Sequence, residues 1–188
     1  MTQITLTPQL QQALAASAAD DSEKALELLT LACAATPAEP LPHFLLGAEL
    51  AQVKRYDEAE AAYATAVALS PGFHIARFEL GTLQMVLSRP ATALVTWQPL
   101  LELPEGEPLR LFVLGYTAYF QDRFDDALGL FHRGMAANQV NAALNGNIRQ
   151  VIERVEAAKA EAHAAPALPE TASEHVLLDG YRRQGSVS

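Results

Sequence analysis

Cysteine is all but missing from this 188-residue chain: Cys33 stands alone, which excludes an internal disulfide and a cysteine-based zinc cage. A small buried role is expected for it. The five histidines, His43, His74, His132, His163 and His175, form no H-E-x-x-H and no pair at zinc-finger spacing, so no metal site is expected. There is no Walker loop, no G-x-S-x-G elbow, no glycine-rich dinucleotide turn and no alternating strand pattern. Lacking any such constellation, the chain reads as a non-enzyme without a cofactor. No apolar run approaches a membrane span, and residues 1–20 lack the basic start and apolar core of a secretion signal. The expectation is a cytoplasmic address with no membrane insertion. Basic residues are scarce too, 13 lysines and arginines against 22 acids for a net charge of −9. Nucleic acids and anionic membranes are therefore poor partners.

What the chain does have is helix-forming material on a period. Half of its residues are hydrophobic, many of them alanine, which favours helices and their close approach. Leu-Gly pairs end at Gly47, Gly81 and Gly115, each 34 residues after the last. In the same frame stand Ala59, Ala93 and Ala127, and then Tyr63, Trp97 and Phe131. Two small positions let paired helices approach, and the aromatic fills the space beside them. Thr7-Pro8 and Asp20-Asp21-Ser22 read as helix starts, while Thr36-Pro37, Ser70-Pro71 and Pro104-Glu105-Gly106 punctuate the chain between repeats. Gln9, Gln11 and Gln12 are expected to form the solvated face of an end helix. The acids of Tyr56-Asp57-Glu58 and Phe124-Asp125-Asp126 suit helix N-termini.

On these residues the chain resembles the tetratricopeptide repeat, a 34-residue helix hairpin with the pattern W-x2-L-G-x2-Y, A-x3-F, P. The second copy carries His43, Leu46, Gly47, Leu50, Ala59, Tyr63, Ala66 and Pro71 on the family positions. Copies are expected at 6–39, 40–73, 74–107 and 108–141. The resemblance implies an all-α, right-handed solenoid, with nine main helices once a capping helix over about 140–162 is added. That helix is carried by Leu144, Ile148, Val151, Ile152 and Val155. Pro99, inside the second helix of the third repeat, predicts a bend. Residues 163–188 read as an alanine- and proline-rich linker and tail holding a short apolar segment, Val176, Leu177, Leu178 and Tyr181, expected to dock.

In the family, first helices line a concave groove through their second, fifth, ninth, twelfth and thirteenth positions. The resemblance thereby nominates Leu41, Phe44, Ile75, Phe78, Thr82, Met85, Leu109, Phe112, Tyr116 and Tyr119 as peptide-binding residues, with the groove growing more aromatic toward the fourth repeat. The phenylalanines have an alternative role in packing. The lysine and asparagine clamp of relatives that bind acidic peptides is absent. The expected function is an adaptor or chaperone that holds an apolar segment of a protein partner. The alternatives are a homo-oligomerisation module whose groove is filled by its own or a neighbour's tail, and, from a similar layout, a chaperone of type III secretion translocators.

Overall fold

A computed structural model describes residues 6–164 of the chain. Among the described residues it has nine α-helices and no strand: α1 (Pro8–Ala18), α2 (Ser22–Ala35), α3 (Pro40–Gln52), α4 (Tyr56–Leu69), α5 (His74–Val86), α6 (Pro90–Trp97), α7 (Pro108–Tyr119), α8 (Phe124–Ala137) and α9 (Ala142–Ala164). Consecutive pairs α1/α2, α3/α4, α5/α6 and α7/α8 pack as hairpins, and each hairpin meets its neighbours. This is an all-α solenoid, because each amphipathic hairpin can bury its apolar side only against the next.

Local chemistry sets the helix ends. Leu10 N–H donates to Thr7 Oγ1 at 3.3 Å, Lys24 N–H donates to Asp21 Oδ1 at 3.2 Å, and prolines open α1, α3, α6 and α7, where a missing N–H is harmless. Each hairpin turn is closed by a left-handed residue: Asp20 (φ 57°), Lys54 (63°), Ser88 (58°) and Asp122 (56°). The following N–H then reaches back to a carbonyl of the preceding helix, as in Arg55 to Leu50 at 2.9 Å and Arg123 to Ala118 at 3.0 Å, the Schellman geometry.

The periodic glycines lie against the periodic aromatics. A Cβ on Gly47 would stand 2.7 Å from Tyr63 Cδ1, one on Gly115 2.8 Å from Phe131 Cε1, and one on Gly81 2.2 Å from Trp97 Nε1. Trp97 cannot withdraw easily, since its Nε1–H donates to the Phe78 carbonyl at 2.9 Å. At Pro99 the chain does more than bend: α6 stops at Trp97 and continues as a 3-10 helix, Gln98–Glu102, which turns Leu100 fully into the core.

Two expectations need correction. Cys33 is half-buried, not buried, on α2, and burial raises its thiol pKa. Gln9 is not part of a solvated face: its amide donates to the Leu28 carbonyl at 3.2 Å, while Gln11 and Gln12 are exposed. The capping helix is present but begins at Ala142, since the Asn141 side chain accepts the Leu144 N–H at 3.0 Å.

Candidate functional site

Residues four, three and four apart share one face of a helix. On the first helices of three hairpins, one such stripe is left open: Gln11, Leu14 and Ala18 on α1; Leu41, Leu45, Ala48 and Gln52 on α3; Ile75, Glu79, Thr82 and Val86 on α5. All are half-buried or exposed, with Val86 at 54% exposure the most open apolar member of the α5 stripe. Seven of these eleven residues are apolar, and they recur on the first helices of three successive hairpins. The equivalent residues of α7, Leu109, Val113 and Tyr116, are buried instead. Val151 and Arg154 of α9 join Thr82, Met85, Val86, Tyr116 and Tyr119 around a cavity of about 120 Å³, so the capping helix narrows this end.

The widest of the spaces along the solenoid lies toward the other end. A cavity of about 570 Å³ opens at the helix starts, lined by Thr7, Leu10, Glu39, Leu41, Pro42 and Phe73 among others. A smaller one, about 90 Å³, lies between α1 and α3 against Leu14, Ser17, Leu45, Ala48, Glu49 and Gln52. There the Ser17 hydroxyl donates to Glu49 Oε2 at 2.7 Å, while Glu49 Oε1 is buried with no partner among the described residues.

Among the nominated residues, Leu41, Phe44, Ile75, Thr82, Met85 and Tyr119 are half-buried on or beside this face. Phe78, Leu109, Phe112 and Tyr116 are core residues. Phe78 stacks on Trp97 with ring centroids 5.8 Å apart, and Tyr116 stacks on Trp97 at 4.9 Å and meets Phe131 edge-on at 5.2 Å. The aromatic growth toward the fourth repeat therefore goes into packing, because α9 and the large Trp97 and Phe131 rings enclose it. The docking segment Val176, Leu177, Leu178 and Tyr181 lies outside the described residues.

The position that sequence reasoning passed over is the sixth of each repeat: Gln11, Leu45, Glu79 and Val113. It lies beside the fifth-position phenylalanines, one residue and about 100° around the helix, and on α3 and α5 it belongs to the open stripe. Glu79 is the one charged residue on the four stripes of α1, α3, α5 and α7. Burial pushes its carboxyl up to about 7. The hydroxyls of Tyr63 and Tyr116 are themselves held well above the ordinary tyrosine range, first by burial and in part by the charge of Glu79, with Arg154 acting the opposite way on Tyr116. Among the described residues no group of histidine, cysteine and acids is placed to hold a metal ion, and no helix is long and apolar enough to cross a membrane.

No family model and no curated protein matches the chain. Solved structures do. YrrB, a tetratricopeptide-repeat protein with an unusual peptide-binding site, is 21% identical with a TM-score of 0.56, over 82% of this chain and 78% of its own. TTC0263, a tetratricopeptide-repeat protein of Thermus thermophilus, is 16% identical with a TM-score of 0.61, over 79% and 80%. PilW, a type IV pilus biogenesis factor, is 18% identical with a TM-score of 0.60, over 81% and 76%. The chain has the tetratricopeptide-repeat fold.

Proposed function

We propose that this solenoid is a non-catalytic protein-interaction scaffold, a cytoplasmic adaptor or chaperone that holds an apolar segment of a partner protein along the first-helix face. The observation that carries the reading is the contrast along that face: Leu41, Leu45 and Ala48 on α3 and Ile75 and Val86 on α5 are left half-buried or exposed, while the same stripe on α7 is covered by the chain itself. An apolar surface running across several hairpins loses free energy to water until something covers it. The peptide-binding site of YrrB, which shares the fold, supports the same reading. Affinity would come from apolar burial on Leu41, Leu45, Ile75 and Val86, all contributed by rigid helices that need little reordering on binding.

The test is selection from a random dodecapeptide library on the immobilised full chain, repeated with Leu45→Asp and Val86→Asp. Both positions are partly exposed, so helicity by circular dichroism should be unchanged, while recovery of apolar peptides falls at least about tenfold. Equal recovery by the variants would remove this face as the site.

A further inference from the structure

Apolar binding leaves one residue of the face unused. Glu79 stands on α5 between the apolar Ile75 and the half-buried Thr82, and its charge reaches Tyr63 of α4 on one side and Tyr116 of α7 on the other. It takes part in none of the side-chain hydrogen bonds or ion pairs among the described residues; the ion pairs are Arg55–Glu58, Arg89–Glu60, Arg123–Asp126 and Lys159–Asp125. Arg154 of α9 influences Tyr116 but forms no ion pair with Glu79. Its side chain is half-buried, and a carboxylate partly withdrawn from water without a counter-ion gains from a cation brought by a ligand, through charge-assisted hydrogen bonds. The acidic chain as a whole, at −9, draws such a ligand in.

We infer, resting on the peptide-binding reading above, that the segment held on this face carries one lysine or arginine within its apolar stretch, and that Glu79 receives it. The alkyl stem of that residue lies along Ile75 and Thr82 while the charged head reaches the carboxylate. A single charge on an otherwise apolar face also sets register, because sliding the ligand would strand both the acid and the base.

The library selection on the full chain tests this directly. Wild-type protein should return peptides with one position enriched in lysine or arginine between apolar neighbours. Glu79→Gln should keep the apolar positions and lose that enrichment, and Glu79→Lys should replace it with enrichment of aspartate or glutamate. In titrations with one selected peptide, changing its basic residue to norleucine should weaken binding to wild type about tenfold and leave binding to Glu79→Gln unaltered, the signature of a direct pair. Selected peptides with no basic position, or enrichment that survives Glu79→Gln, would overturn the inference while leaving peptide binding in place. Failure to select any peptide would overturn both.

Discussion

The two ends of the solenoid are built to one plan from different material. The first hairpin is held by Leu10, Ala13, Leu29 and Ala32, with no aromatic among its buried residues. The third and fourth, with α9, share one core in which Phe78, Trp97, Phe112, Tyr116 and Phe131 are all buried. In a linear array each unit is stabilised by itself and its neighbours, so a thin end and a thick end have separate fates. Aromatic burial contributes several-fold more apolar area per residue than alanine, which makes the thick end the stable one. The larger cavity belongs to the first two hairpins and the open stripes to the first three. Packing has closed the first-helix face at α7 and left the rest of it for contact.

The sharpest test of that contrast is the same substitution in both halves. Gly81→Ala pushes a methyl to within 2.2 Å of Trp97 Nε1, whereas Gly47→Ala meets the Tyr63 ring at 2.7 Å. Trp97 is fully buried and tied by its N–H to Phe78, while Tyr63 retains slight exposure. Gly81→Ala should therefore destabilise by about 3 kcal/mol and Gly47→Ala by about 1 kcal/mol, overpacking being partly offset by the better helix propensity of alanine. Urea denaturation checks both. Equal losses would mean that the tryptophan end is no more rigid than the tyrosine end.

Glu79 sits where the two halves meet. Its carboxyl is raised from an ordinary 4.5 to about 7 by burial, so the folded protein holds that proton more tightly than the unfolded chain does. The stabilisation is full below the unfolded value and is lost as pH rises through about 7, after which it stays flat. Glutamine in its place is neutral throughout. Glu79→Gln should be more stable than wild type by about 2 kcal/mol near pH 8 after allowing for partial solvent access, with the gain fading near pH 4. A gain independent of pH would show that the carboxylate is well solvated in the folded state.

The repeat period was legible because steric need repeats: glycines at 47, 81 and 115 meet the rings at 63, 97 and 131, where a Cβ would crowd the ring at under 3 Å. The break at Pro99 was legible for a similarly local reason. The face was legible only in part. Adjacent fifth and sixth positions differ by a rotation of about 100°, and which of them is covered depends on the neighbouring hairpin, so Phe78 and Phe112 were nominated while Glu79 was passed over. Tyr116 lies beside Val151 and Arg154 of α9, and the path of that helix is a tertiary matter that no short motif carries. The left-handed turn residues repeat every 34 positions yet hide in the sequence, because none of them is glycine.

Those turns offer the smallest effect and a control on the comparison. Lys54 lies in the second hairpin and Ser88 in the third, with nearly equal φ of 63° and 58°; both are exposed and neither side chain has a hydrogen bond among those described. A left-handed backbone costs a residue with a Cβ about 1 kcal/mol, and glycine removes that cost while adding unfolded-state entropy that offsets part of it. Lys54→Gly and Ser88→Gly should therefore each raise stability by about 0.5 kcal/mol, measurable as a shift of one or two degrees in Tm, on the order expected for a chain of this size. The two gains should match, since the effect is confined to one backbone position and owes nothing to whether tyrosine or tryptophan fills the hairpin behind it. A clearly larger gain at Ser88 would mean that the aromatic core strains its own turn, and the difference between the ends would then extend from packing into the backbone.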